Sequence, residues 1–250
     1  MTGVRWDVSG GVGRITLDRP AVSNAVDLPT AQRFAEVVAA AESDEVRVVL
    51  LTGAGARFCA GGDVRSFLAA SDPPGYLHEL ASVMEAALRR LSDLPKPVVA
   101  GVHGAVAGAG LAFVLNADVV IAARSTKFRM AYSGIGLTPD CGVSYLLPRV
   151  IGTQRALELA VTGRTLTAER AQEWGLVAEV ADDELLPHRA GELADALATG
   201  PASAIGQAKR LMRSSFDVSR EDSAADEART IATAVGTREA QELIQQFTAR

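Results

Sequence analysis

The first residues of the chain alternate between apolar and polar side chains. Residues 4–8 show this alternation, and residues 13–17 repeat it after a Gly10-Gly11 pair. An alternating pattern places every second side chain on one face of a strand, and adjacent glycines allow a tight turn. The chain is therefore predicted to begin with a β-hairpin that has one buried face.

Longer apolar patterns follow. Asp27 precedes a helical pattern that it can cap, and a second helical pattern runs from about residue 76 to 91. The continuous apolar runs at 46–52 and 98–102 predict strands that are buried on both faces. Such strands need cover from both sides, which is typical of α/β proteins.

The last part of the chain is predicted to be helical. Thr153 and Thr167 are predicted to cap two helices. We predict a main domain over residues 1–195 and a C-terminal helical region over 196–250. The second part has too few large apolar residues for its own core, so we expect it to pack on the main domain or on another subunit.

Composition narrows the possible functions. The chain has 250 residues, 48% of them hydrophobic and 22% charged, with a formal net charge of −5. This charge argues against a nucleic-acid surface but leaves room for a local site that binds an anionic ligand. The two cysteines, Cys59 and Cys141, form neither a disulfide framework nor a zinc pattern.

Neither a signal peptide nor a transmembrane segment is evident in the sequence. The first ten residues lack an apolar core, and every strongly apolar stretch ends well before ~20 residues. We expect a cytoplasmic protein with no membrane association.

Two loops rich in small residues are candidates for chemistry. In the segment 57–64, Asp63 can cap a following helix and the Gly62 N–H can donate to a bound oxygen. In the segment 104–110, the Ala109 N–H lies at a helix start, where the helix dipole favours negative charge. The alternatives are an ordinary strand-to-helix turn for the first and tight packing of small residues for the second.

Asp140 is the third candidate. It lies between Pro139 and a predicted helix, so its side chain is either a helix cap or a general acid/base that faces a pocket. The three histidines show no metal-ligand spacing, and each is interpreted as a structural or surface residue. Lys209 or Arg210 could meet a nucleotide phosphate, although most charges on such helices are solvated.

Taken together, these segments resemble the enoyl-CoA hydratase/isomerase (crotonase) family. The resemblance extends through nearly the whole chain, in the ordered segments RPAVSNAVD (19–27), RFCAGGDV (57–64), HGAVAGAGLAF (103–113), ADVVIAARSTKF (117–128), IGLTPDCGVSYLLPRVIG (135–152) and GRTLTAERAQEWGLVAEV (163–180). It implies an α/β fold, a spiral of ββα units followed by a C-terminal helical region that builds a trimer or a dimer of trimers. It also implies an acyl-CoA thioester substrate and no separate cofactor or metal.

The resemblance also assigns site residues. The N–H groups of Gly62 and Ala109 would form an oxyanion hole around the thioester oxygen, which makes the neighbouring C–H acidic. The residues implied to hold the CoA are Val22, Ser23, Ala25, Ala60, Gly61, Gly62, Asp63 and Val64.

The departures from the family pattern bear on the reaction. Hydratases of this family carry two glutamates in the pocket, and the matching positions here are Ala112 and Tyr132. Asp140 then becomes the leading acid/base group, as in the isomerase branch that includes ring-1,2-epoxyphenylacetyl-CoA isomerase. We expect isomerisation of an unsaturated acyl-CoA. The alternatives are a hydratase with atypical catalytic residues and an acyl-CoA-binding homologue without catalysis.

Overall fold

The computed structural model describes residues 3–249, and its strands form two sheets. In chain order the strands are β1 Val4–Ser9, β2 Val12–Leu17, β3 Val48–Gly53, β4 Val98–Val102, β5 Ala105–Ala107, β6 Val119–Ala123, β7 Lys127–Arg129, β8 Thr165–Thr167 and β9 Glu179–Ala181. The larger sheet has the order β1-β2-β3-β4-β6-β9, and the smaller has the order β5-β7-β8.

The predicted hairpin is confirmed. Strands β1 and β2 are antiparallel, whereas the pairs from β2 to β9 in the larger sheet are parallel. In the smaller sheet, β5 and β7 are parallel and β7 and β8 antiparallel. Strands β4 and β6 of the larger sheet are each followed along the chain by a short strand of the smaller sheet.

Helices follow these strand pairs. Their bounds are α1 Leu28–Ala40, α2 Val64–Ala69, α3 Pro73–Asp93, α4 Ala109–Asn116, α5 Val143–Ile151, α6 Thr153–Thr162, α7 Ala168–Glu173, α8 Leu186–Thr199, α9 Ala202–Ser214, α10 Arg220–Val235 and α11 Arg238–Thr248. The successions β4-β5-α4 and β6-β7-α5 repeat one ββα order, as expected from the resemblance.

The larger sheet is covered on both faces, as its apolar strands require. One face contributes Leu51 and Ala100 to the main core, which also includes Phe34 of α1 and Leu88 of α3. The other face packs against the alanine-rich side of α8, in a cluster that contains Val48, Val99, Ile121, Ala190 and Ala194. Burial of apolar area at about 25 cal/mol per Å² holds these layers together.

Of the helix caps predicted at Asp27, Thr153 and Thr167, two are confirmed and one is wrong. The Asp27 carboxylate accepts from the Thr30 N–H at 2.9 Å, and the Thr167 hydroxyl accepts from the Arg170 N–H at 3.3 Å. Thr153 is instead the first residue of α6, which begins after Gly152 without a side-chain cap.

The C-terminal helices contribute little to the core. No residue of α10 or α11 is buried in the described part of the chain, and in α9 only Gly206 is. The division at residue 195 stays a prediction, because α8 crosses it while packing on the larger sheet. In residues 3–249, no helix combines the length and apolar character needed to span a membrane.

Candidate active site

A cavity of about 320 Å³ lies between the glycine-rich loops, α3 and the segment before α5. Its wall is mostly apolar, with few polar side chains. The lining residues are Ala60, Gly61, Gly62, Val64, Phe67, Pro74, Leu77, His78, Ala81, Gly108, Ala109, Ala131, Tyr132, Ile135, Leu137, Thr138, Pro139 and Asp140. An apolar pocket with a few convergent polar groups is the usual form of a small-molecule site.

The two glycine-rich loops are joined by backbone hydrogen bonds. The Cys59 N–H donates to the Ala105 carbonyl at 3.1 Å, and the Ala107 N–H donates to the Cys59 carbonyl at 3.0 Å. Gly61 and Gly108 follow these bonds, and a Cβ on Gly108 would lie 3.4 Å from the Gly61 Cα. Gly108 also has a φ of 51°, which residues with a side chain rarely adopt.

This junction places two N–H groups in the cavity wall. Gly62 and Ala109 both line the cavity, and no acceptor is bonded to either N–H within the part of the chain that the structure describes. Ala109 is the first residue of α4, so its N–H is one of those that a helix leaves without a partner. Together the two groups can donate to one oxygen atom of a ligand.

Arg19 anchors the loop 57–64 through ion pairs. Its guanidinium pairs with Asp27 at 2.8 Å and with Asp63 at 3.1 Å, and it also donates to the Ala25 carbonyl. Asp63 does stand before α2, but its side chain makes no cap bond, so that predicted role is wrong. The Asp63 carboxylate pairs with the Arg19 guanidinium instead, and this ion pair holds the loop 57–64 against the segment before α1.

The segments predicted to hold the CoA are brought together. The Ala60 N–H donates to the Ser23 carbonyl at 3.0 Å, and the Val26 N–H donates to the Gly61 carbonyl at 2.8 Å. Ala60, Gly61, Gly62 and Val64 line the cavity, whereas Val22, Ser23, Ala25 and Asp63 do not. The CoA-binding role of these residues stays a prediction.

Asp140 is the only carboxylate among the residues that line the cavity. Its side chain does not cap α5, whose N-cap position is Gly142, although its carbonyl accepts from the Val143 N–H at 3.0 Å. The Asp140 Oδ1 accepts a 2.7 Å hydrogen bond from the Tyr132 hydroxyl. The structure therefore favours the interpretation in which Asp140 faces a pocket.

The two positions that match the hydratase glutamates have different surroundings. Ala112 is completely buried in α4 and contributes to the main core, not to the cavity. Tyr132 lines the cavity, and burial, followed by the charge of Asp140, raises the pKa of its phenol well above the usual range. Neither residue can serve as a carboxylate-like base near neutral pH.

His78 was missed as a cavity residue. It lies on α3, where Pro74, Leu77, His78 and Ala81 follow the spacing of one helix face and all line the cavity. That spacing can be read from the sequence, but the sequence does not show that this face of α3 lines the cavity. His78 adds an imidazole to the wall, beside the phenol of Tyr132 and the carboxyl group of Asp140.

The other residues considered in the sequence analysis, Lys209, Arg210 and Cys59, do not line the cavity. The Lys209 ammonium is buried against Asp118 at 2.8 Å, and Arg210 pairs with Asp226. Burial raises the pKa of the Cys59 thiol to about 12, which keeps it protonated. Among residues 3–249, no group of three or more His, Cys, Asp or Glu side chains could hold a metal ion.

Comparisons with known proteins agree with this geometry. A family model described as enoyl-CoA hydratase/isomerase matches residues 7–250. The chain is 45% identical over 212 residues to 1,2-epoxyphenylacetyl-CoA isomerase of Escherichia coli K12, covering 83% of this chain and 80% of that protein. It is 38% identical over 189 residues to trans-2-decenoyl-[acyl-carrier-protein] isomerase of Streptococcus mutans, covering 73% and 71%.

A solved structure extends the similarity to the fold. An enoyl-CoA hydratase from Polaromonas sp. JS666 superposes with a TM-score of 0.94 at 30% identity, covering 98% of this chain and 96% of that one. The similarity includes the C-terminal helices, which lie outside the main core.

Proposed function

Because the chain belongs to the enoyl-CoA hydratase/isomerase family, we propose that it is an acyl-CoA isomerase that works through an enolate, with Asp140 as its acid/base group. The observation that carries this proposal is the composition of the cavity wall. It presents two N–H groups without acceptors in the described chain and one carboxylate. That set suits the movement of a proton within one substrate.

The proposed reaction begins at the thioester carbonyl. Its oxygen accepts hydrogen bonds from Gly62 and Ala109, which stabilise the negative charge that develops when a proton leaves C2. For a 3-enoyl-CoA, Asp140 takes the C2 proton and the electrons form a dienolate. The carboxylic acid then returns the proton to C4, which leaves the double bond between C2 and C3. No atom is gained or lost.

A hydratase needs different catalytic groups. It has to deprotonate a water molecule and also deliver a proton to carbon, which requires suitable acid/base side chains of the enzyme next to the substrate. Here Ala112 lies in the core and the Tyr132 phenol keeps its proton. The similarity to two proteins named as isomerases supports the same choice.

We further propose that the CoA moiety binds where the two joined segments meet. Residues 22–25 and 60–64 run side by side there, next to the cavity wall. Backbone groups of both segments would hold the CoA, while the acyl group enters the cavity. The substrate brings the only CoA required, and no separate cofactor takes part in the proposed steps.

The first test is turnover of a 3-enoyl-CoA. We expect the purified protein to convert it into the 2-enoyl isomer, followed by the absorbance of the conjugated thioester. Asp140→Ala and Asp140→Asn should each lower kcat by about 10³-fold or more, since the sole proton carrier is lost, while affinity for CoA is retained.

Two other results would contradict the proposal. Fast hydration of crotonyl-CoA, with no conversion of the 3-enoyl substrate, would identify a hydratase with atypical residues. Binding of acyl-CoA without turnover of any substrate would identify a non-catalytic homologue. Binding is measured separately by calorimetry, so a loss of affinity is not mistaken for a loss of chemistry.

A further inference from the structure

Tyr132 and Asp140 are held in fixed positions on both sides of their hydrogen bond. The Tyr132 carbonyl accepts from the Ile135 and Leu137 N–H groups at 3.1 and 3.0 Å, which closes the 3-10 turn Ser133–Ile135 around it. The Asp140 carbonyl accepts from the Val143 N–H at the start of α5. The 2.7 Å bond between the side chains therefore joins two anchored segments of backbone.

The direction of this hydrogen bond is fixed by chemistry. Burial raises the pKa of the Tyr132 phenol, and the nearby Asp140 charge raises it further. The phenol therefore keeps its proton and is the donor, and Oδ1 of Asp140 is the acceptor. A hydrogen bond to a carboxyl oxygen is directional, so it also fixes the orientation of the group.

Other titratable groups lie near the segment that carries Asp140. From α3, His78 lines the same cavity, and the Glu85 carboxylate lies near Gly142, where an added Cβ would be 3.2 Å from it. The neighbouring Cys141 thiol has its pKa raised by burial first and by the Asp140 charge second. Cys141 also has a side-chain hydrogen-bond interaction with Asp140, and Tyr132 makes the 2.7 Å bond to Oδ1.

From this geometry we infer that Tyr132 is a positioning residue, which holds the Asp140 carboxyl group in one orientation and leaves its second oxygen, Oδ2, to act on the substrate. The inference rests on the proposed isomerase function. One oxygen is occupied by the phenol, so the other is the oxygen that takes the proton and returns it. Tyr132 itself moves no proton and acts through Asp140.

Tyr132→Phe tests the inference with the smallest possible change. The ring still fills its buried slot, but the donor is lost. We expect kcat to fall about tenfold or more with KM within about twofold. A positioning role predicts this split between kcat and KM, because the orientation of the proton carrier changes and the contacts that bind the substrate do not.

Tyr76→Phe is the matched control. Tyr76 also lies beside the cavity residue Phe67, but its hydroxyl accepts from the Leu28 N–H and has no bond to Asp140. This variant should keep kcat within about twofold of the wild type. An unchanged kcat in Tyr132→Phe, or equal losses of kcat in both variants, would overturn the positioning role.

A measurement without substrate separates this inference from the proposed function. Carbon-13 NMR of protein with labelled aspartate follows the Asp140 carboxyl directly, and Asp140→Asn identifies its signal. We expect the chemical shift of this carboxyl carbon at neutral pH to change in Tyr132→Phe and to stay the same in Tyr76→Phe. An unchanged signal in Tyr132→Phe refutes the inference even if isomerisation is found, whereas a change confined to that variant supports it even if the substrate proves to be different.

Discussion

At the scale of single residues, the N–H of Ala109 can be removed with little change to the fold. Proline is well tolerated at the first position of a helix, and Ala109 has that position in α4. Ala109→Pro should therefore keep the helix and lose one donor to the proposed enolate oxygen. We expect kcat to fall by about 10²–10³-fold, measured with the 3-enoyl-CoA substrate.

Thr153→Pro provides the matched control for this variant. Thr153 is also the first residue of a helix, also follows a glycine, and does not line the cavity. It should keep near-normal kcat, while both variants keep a cooperative thermal transition. Normal turnover in Ala109→Pro would show that this N–H has no part in catalysis.

Single residues also show how far prediction from the sequence reaches. Gly62, Ala109 and Asp140 were singled out from short local patterns, and the structure brings them to one cavity wall, while their catalytic roles stay a prediction. The bond between Tyr132 and Asp140 could not be predicted in this way, since it depends on how two turns pack. The predicted capping role of Asp63 was wrong because its carboxylate pairs with Arg19, which is distant in the sequence.

At the scale of elements, the ion pairs of Arg19 join the loop before α2 to the segment before α1. We expect Arg19→Gln to destabilise the protein by about 1–3 kcal/mol, because two partly buried carboxylates lose their charged donor. Since these contacts hold the proposed CoA-binding segments together, affinity for acyl-CoA should fall as well. Thermal unfolding and calorimetric titration measure the two effects.

Arg5→Gln is the comparison for that variant. Arg5 pairs with Asp18 at 2.8 Å, but 64% of its side chain is exposed. Surface pairs contribute little, so this change should cost less than about 1 kcal/mol and leave acyl-CoA affinity unchanged. Similar losses in both variants would mean that the Arg19 contacts have no particular role.

Elements also differ in how far the sequence predicts them. The hairpin, β4 and the helix after Asp27 were predicted because their signals are local and several residues long. Strand β5 was missed within the loop 104–110, since it has three residues and forms by pairing with β7. Short strands of this kind are a product of the tertiary fold.

At the scale of the whole molecule, the C-terminal helices expose large apolar side chains. Met212 is 74% exposed, Ile231 72% and Phe247 80%. Such residues on neighbouring helices are costly to leave in water and are common where subunits meet. They agree with the sequence-based expectation of a trimer or a dimer of trimers, which stays a prediction.

Analytical ultracentrifugation tests that expectation. The wild type should sediment with the mass of three or six chains. Replacing Ile231 and Phe247 together by glutamate should shift it toward the monomer, because two charges cannot be buried without partners. Glutamate at Val8, which is also exposed but lies at the far end of the chain in β1, should leave the mass unchanged. A wild type that sediments as a monomer at micromolar concentration would mean that these side chains are not covered by another copy.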